Sequence, residues 1–271
     1  MSQPLPPSSP SSTFAAGAPP AGPGEASAPS DQPAAVDAAI RDAFASAQQR
    51  TIAAVAEVVR AAQAGQRAAD LERALSEAAL SRGFSGWFRP PLARVAGVDG
   101  QHGGPALRPG HIVELRLMPL DPDAYGAFGY SFRFGAGEEP SALRDARELS
   151  HNTCGFASRW KSVGELFVYA TSWANNRRRS LGEARAIGHQ CFPRRGRAGW
   201  LWPYASRSAS SLRRHEIQWL NPRRMRGHYF VAPRLVAGAE SACFGELILV
   251  DGDHKSVVGR AGRGEIGTLP D

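Results

Sequence analysis

The chain has 271 residues, of which 42% are hydrophobic and six are tryptophan, so it can bury a core of ordinary size. No apolar run approaches the roughly 20 residues that a membrane-spanning helix needs, and the N-terminus lacks a basic stretch followed by an apolar one. We therefore expect a soluble cytoplasmic protein without membrane contact. The net charge of +7 comes with abundant Arg, Ala, Gly and Pro, a bias typical of GC-rich bacterial genes, and is given little functional weight.

The first part of the chain is compositionally distinct. Residues 1–33 contain 9 of the 21 prolines and few large apolar side chains, so they cannot bury enough surface to offset their ordering entropy. We predict a disordered tail at 1–33, one folded domain at 34–264 and a short C-terminal tail at 265–271.

Apolar residues at helical spacing follow this tail. They predict a long helix from Val36 to Ala62, and then a second helix with Asp70 as its N-cap that ends at Gly83. Two further helices are predicted to begin at Ser141 and after Ser162.

Strand-like segments lie between and after these helices. The strands are expected within residues 83–100, 111–120, 125–135, 227–236 and 243–252. Helices and strands in this order predict an α+β domain. The three cysteines are widely spaced, so we expect neither a disulfide framework nor a structural zinc site, and predict that they are small buried side chains: Cys154, Cys191 and Cys243.

Several segments resemble the creatinase/methionine aminopeptidase family in the correct order. Residues 107–135, LRPGHIVELRLMPLDPDAYGAFGYSFRFG, resemble the family's metal-binding hairpin, and residues 102–105, HGGP, resemble the motif that precedes it. Residues 187–189, IGH, resemble the segment of the metal-binding histidine, followed by the His215-Glu216 pair. The resemblance implies the pita-bread fold, a curved antiparallel sheet flanked by two pairs of helices.

The residues at the metal positions differ from those of the family. Family peptidases hold two metal ions with two Asp, one His and two Glu. The resemblance places Arg116, Gly129, Ala232 and Gly245 at the four carboxylate positions and leaves only His189; a one-residue slip would put Tyr130 or Glu246 in place of one glycine. We therefore expect no metal and no other cofactor.

A pocket can outlast its metal, as in creatinase, which hydrolyses a C–N bond with a histidine acid/base. The resemblance implies His102, His189 and His215 as catalytic candidates, because imidazole can relay protons near neutral pH. Candidate substrate-binding residues share the same region and are polar: Arg116, Arg133, Tyr125 and Glu216.

These residues favour a metal-independent hydrolase, lyase or ligand-binding protein that acts on a small anionic, amino-acid-derived compound. One alternative is an inactive pseudoenzyme that binds protein or nucleic acid, in which Arg116 fills the empty metal site and pairs with Glu114 or Glu246. A second alternative is a true metallopeptidase, and a homodimer is left open.

Residues 193–214 form an insertion rich in Arg and Trp. Basic and aromatic side chains together are typical of nucleic-acid binding, but no known nucleic-acid motif accompanies them. We favour a flap over the pocket, with nucleic-acid binding as the alternative.

Overall fold

The computed structural model describes residues 38–95, 105–182, 185–192 and 215–260. The predicted tails, the insertion at 193–214 and the candidate His102 lie outside the described residues. Among the helices that are described, none is long and apolar enough to span a membrane.

The first helix pair consists of α1 (Ala38–Ala61) and α2 (Ala68–Leu80). Both helices were predicted, but Asp70 is not the N-cap of α2. Arg67 occupies that position, and the Asp70 carboxylate, three residues later, accepts a hydrogen bond of 2.9 Å from the Arg67 backbone N–H. Asp70 therefore still stabilises the start of the helix, from its first turn.

The second helix pair consists of α3 (Ser141–Phe156) and α4 (Val163–Asn176). Ser162 is the N-cap of α4, as predicted: its hydroxyl accepts from the Glu165 backbone N–H at 3.1 Å, and the Glu165 carboxylate accepts from the Ser162 backbone N–H at 2.6 Å. In α3, by contrast, Ser141 is the first helical residue and Pro140 is the N-cap.

The described strands form three antiparallel sheets. The first has the order β1-β2-β3, the second β10-β9-β6-β5 and the third β4-β7-β8. The bounds of the strands are β1 (Gly86–Val95), β2 (Ile112–Leu120), β3 (Phe128–Arg133), β4 (Ser180–Leu181), β5 (Gly188–Cys191), β6 (Gly227–Val231), β7 (Arg234–Ala237), β8 (Glu240–Cys243), β9 (Glu246–Asp251) and β10 (His254–Val257). All five predicted segments contain strands, but the single strand expected at 227–236 is two strands, β6 and β7, which belong to different sheets. The strands β4, β5, β8 and β10 are too short for a sequence pattern to reveal.

Two apolar cores underlie this arrangement. One core packs α1 and α2 against the first sheet and also takes in side chains from β5, β6, β8 and β9, and the other packs α3 and α4 against the second and third sheets. The sheets meet where Gly129 and Gly245 exchange backbone hydrogen bonds of 3.0 and 2.8 Å. The Ser131 hydroxyl strengthens the junction by bonding both backbone groups of Cys243. The α+β prediction is confirmed, and the three cysteines are free and buried, as expected.

Candidate ligand-binding site

His189 lies in the middle of a backbone ladder on β5. It pairs with Phe230 of β6 on one side and forms a bridge with Glu216 on the other. The backbone N–H of Gln190 bonds the His215 carbonyl at 2.7 Å, and that of Ile217 bonds the Gly188 carbonyl at 2.9 Å. Ladders on both sides fix the backbone that carries the imidazole.

Gly188 explains why glycine precedes this histidine. Its φ is +151°, and a Cβ there would lie 1.9 Å from the Phe230 carbonyl oxygen. Only glycine permits so close a contact between β5 and β6.

A cavity of about 320 Å³ opens beside His189. Its polar lining comes from β1, β2, β5 and the segments that flank β5: Arg89, Arg116, Arg185, His189 and Glu216. Met118, Phe230 and Ala232 supply apolar wall. Arg89 and Arg185 are exposed, whereas His189 is 5% exposed, so charge surrounds the mouth and the imidazole forms part of the inner wall.

His189 is uncharged at neutral pH. Burial, with added repulsion from Arg89 and Arg116, lowers the pKa of its imidazole to about 3. Its ring lies 5.0 Å from Phe88 and 5.7 Å from Phe230, centroid to centroid. Within the described residues, its Nε2 has no hydrogen-bond partner. A buried polar atom without a partner is costly, so this nitrogen is suited to a hydrogen bond with a ligand in the cavity.

Arg116 is held by a buried ionic cluster. Its Nη2 lies 3.3 Å from one oxygen of Glu114 and donates to the Cys243 sulfur at 3.8 Å. The second Glu114 oxygen accepts from Arg234. The Glu114 side chain is 3% exposed and each arginine side chain 11%. Arg116 thus pairs with Glu114, one of the two partners expected for it in the pseudoenzyme alternative, whereas Glu246 pairs with Arg260.

The glycines at two of the carboxylate positions close the other side of this region. A Cβ on Gly245 would lie 2.6 Å from the Phe230 ring and 2.9 Å from the Ala232 Cβ, and a Cβ on Gly129 would lie 3.1 Å from the Gly245 nitrogen. Side chains and backbone fill the space that acidic side chains would need.

The donor set does not fit the dinuclear metal centre that the fold implies. Arg116 and Ala232 line the cavity together with His189, so a fixed cation and a methyl group stand where carboxylates would neutralise metal charge. No group of three or more His, Cys, Asp or Glu among the described residues could hold a metal ion.

The cavity wall includes some of the predicted site residues and not others. Arg116, His189 and Glu216 line it, but Tyr125, Arg133 and His215 do not. Tyr125 is fully buried beside Phe88. The Arg133 guanidinium bonds the Ala136 carbonyl at the far end of β3.

His215 contacts residues outside the cavity wall. Its Nδ1 lies 3.2 Å from Arg223, and its ring contacts Phe192 edge-on at 4.7 Å. The acid/base roles of His189, His215 and His102 stay predictions.

Sequence reasoning missed Arg89 and Arg185. Arg89 pairs with Met118 across β1 and β2, between two register shifts, and such irregularities change which side chains share a face. Arg185 lies four residues before His189. This closeness in sequence was the one feature that could have predicted that Arg185 lies near the site.

Comparison with solved structures identifies the fold. Methionine aminopeptidase from Thermotoga maritima matches 84% of this chain and 99% of its own, with 14% identity and a TM-score of 0.66. X-Pro aminopeptidase from the same organism matches 86% of this chain but only 63% of its own, with 11% identity and a TM-score of 0.65. A dipeptidase from Mycobacterium ulcerans is 17% identical over 83% of this chain and 59% of its own, with a TM-score of 0.64.

The chain therefore has the pita-bread fold of these peptidases, as predicted. No protein-family model and no curated protein matches the sequence. At such low identity the likeness establishes the fold, and the chemistry has to be argued from the site.

Proposed function

We propose that this chain is a metal-independent, cytoplasmic protein that binds a small anionic, amino-acid-derived compound in the cavity beside His189. The observation that carries the proposal is that the cavity wall contains polar groups able to form hydrogen bonds with a ligand. Within the described residues, the guanidinium groups of Arg89 and Arg185 form no hydrogen bond or ion pair, and the buried His189 Nε2 has no partner. Guanidinium groups match carboxylates in shape and charge, and the imidazole supplies a third polar contact.

The size of the cavity limits the ligand. Its volume of about 320 Å³ equals the liquid volume of roughly ten water molecules. A compound as large as an amino acid fits, whereas a peptide substrate of several residues would extend beyond the mouth.

The electrostatics favour binding over histidine catalysis. With a pKa of about 3, His189 carries no proton to donate as an acid at pH 7 and is a weak base. A thiolate nucleophile is also disfavoured nearby, because burial raises the pKa of Cys191 to about 12. His189 is better suited to orienting a ligand as a neutral hydrogen-bonding group.

Calorimetric titration at low ionic strength tests this proposal. Small carboxylates and inorganic phosphate are titrated into the wild-type protein with EDTA present. Substituting both Arg89→Gln and Arg185→Gln should weaken binding at least about tenfold. Arg144→Gln, which removes an exposed arginine on α3, should leave binding unchanged. Absence of binding by every anion, or a requirement for added divalent metal, would overturn the proposal.

A second candidate function, binding of single-stranded nucleic acid, rests on an exposed aromatic surface. Trp160 and Trp219 are 66% and 65% exposed, next to Leu220 at 69%. Residues 161–164 and 221–225 hold the two segments together through backbone hydrogen bonds, and Arg159 stacks on Trp160 at 4.1 Å. Exposed aromatic rings with arginines suit base stacking.

Fluorescence anisotropy with a short labelled DNA strand tests the second candidate. The double substitution Trp160→Ala and Trp219→Ala should abolish a salt-sensitive signal, whereas Leu80→Ala, at another exposed apolar site, should not. Binding that persists in the double variant would remove this surface from consideration.

A further inference from the structure

The deeper part of the cavity wall is apolar. Met118, Phe230 and Ala232 line the cavity and are 2%, 1% and 4% exposed. Arg89 and Arg185 also line it, but both are exposed. A ligand that enters the cavity with its anionic group at the mouth therefore directs its other atoms toward apolar side chains.

Two of these side chains belong to one continuous face. Phe230 and Ala232 are two residues apart, so their side chains point to the same side of the extended chain. The backbone N–H of Ala232 donates to the Ile187 carbonyl at 2.7 Å, which continues the pairing of β5 with β6 by one residue. A Cβ on Gly245 would lie 2.6 Å from the Phe230 ring and 2.9 Å from the Ala232 Cβ, so neither side chain has space to move in that direction.

The third side chain comes from another sheet. Met118 lies on β2, two residues after Arg116, and both residues line the cavity. The strand that carries Phe230, β6, is paired on both edges, with β5 and with β9. Because paired strands fix both parts of the wall, the apolar surface is formed before a ligand binds, and its ordering costs no binding free energy.

We propose that the ligand carries a short aliphatic chain, which packs against the apolar wall of Met118, Phe230 and Ala232 while its anionic group faces the mouth. The inference rests on the proposed function and narrows its ligand class. Each methylene group moved from water to such a wall should tighten binding about fourfold. Ala232 limits the length of the chain, because a larger side chain there has no space toward Gly245 and would extend into the cavity.

Two series of ligands isolate the effect of the chain. Acetate through hexanoate and methyl phosphate through butyl phosphate are titrated calorimetrically at pH 7.5 with EDTA present, and the charge is constant within each series. In at least one series, affinity should rise about fourfold with each added methylene group. The rise should end once the chain fills the cavity of about 320 Å³. The series that shows the rise distinguishes a carboxylate head group from a phosphate head group.

Four single variants link the rise to named residues. Ala232→Leu should shorten the longest chain that still gains affinity and leave the binding of acetate and methyl phosphate unchanged, whereas Met118→Ala should lengthen that chain, since it enlarges the apolar space. Ala232→Ser adds a hydroxyl group to the wall with little change in volume, so it should reduce the gain for each methylene group even if the larger substitution prevents folding. Met225→Ala is the control for the loss of a buried methionine outside the cavity wall, and it should leave the dependence on chain length unchanged.

The outcomes separate this inference from the proposed function. Affinity that stays constant or falls along every series that binds would overturn the aliphatic chain and leave anion binding intact. A rise that both Ala232 variants leave unchanged would also overturn the inference, because the chain would then bind elsewhere. No binding by any member of either series would mean that the proposed function itself fails, and the inference with it.

Discussion

The two sides of the region around Arg116 have opposite characters. On one side, Gly129 and Gly245 are in backbone contact and Phe230 fills the adjacent space. On the other side, a cavity of about 320 Å³ remains, with His189 and arginines on its wall. One side is closed by packing; on the other side, the buried His189 Nε2 has no hydrogen-bond partner within the described part of the chain. A cavity therefore persists directly beside a junction that backbone and side chains fill.

The ionic cluster between these sides should give the largest mutational effect. Glu114→Gln leaves Arg116 and Arg234 buried without their shared carboxylate, and we expect a loss of about 3–5 kcal/mol in unfolding free energy. Urea denaturation measures it. Glu139→Gln is the control, since its pair with Arg147 is more than one-third exposed on both sides and should be worth about 1 kcal/mol or less. An equal loss in both variants would contradict the cluster's special role.

The second prediction concerns pH and compares the open side with the closed core. Burial lowers the pKa of His189 to about 3 and that of His228, stacked on Phe44, to about 4. Both depart from about 6.5 in the unfolded chain, so the unfolded state binds more protons below that pH. Each histidine should therefore cost about 1.4 kcal/mol of stability per unit as pH falls from 6.5 toward its folded pKa.

Denaturation at several pH values tests this dependence. Substituting either histidine with Gln should remove the contribution of that histidine to the slope of unfolding free energy against pH. A bound anion should reduce the contribution of His189 to this pH dependence more than that of His228, because only His189 lines the cavity. An identical slope in wild type and both variants would contradict the assignment.

The third prediction tests the closed side. Gly245→Ala places a Cβ against the Phe230 ring, and we expect a loss of about 1–3 kcal/mol from overpacking. Gly155→Ala is the matched control, because its Cβ would meet nothing within 4 Å near the end of α3. That variant should be neutral or more stable by up to about 1 kcal/mol. Equal thermal shifts for the two would mean that the junction tolerates side chains.

Much of the fold could be predicted from local sequence chemistry. The apolar spacing in α1 and the capping pair of Ser162 and Glu165 are local signals, and both led to correct helices. The motif at residues 187–189 led to His189 because its glycine reflects a steric need of the backbone. Such needs are visible in a single segment of sequence.

The positions of the other site residues depend on strand register and packing between segments that are distant in sequence. Arg89 reaches the cavity through an irregular strand register, and no periodicity reveals such a shift. Arg133 shares a sheet face with Arg116, but the register puts it opposite Ile112, four residues along β2. Family motifs placed Tyr125 near the site, and its ring does lie 6.4 Å from that of His189. Packing on Phe44 and Phe88 nevertheless buries Tyr125 behind the cavity wall.

The smallest predicted effect is that of Arg89 on the pKa of His189, which lines the same cavity. Arg89→Gln removes one of the two charges that lower the pKa of His189, so that pKa should rise, as followed by NMR titration of the imidazole. The free energy of unfolding should change by no more than about 0.5 kcal/mol, since Arg89 is exposed. Arg144→Gln should alter neither quantity. If the pKa stays constant, Arg89 is too far or too well solvated to act across the cavity, and the open side would lose one of the charges on which its preference for anions depends.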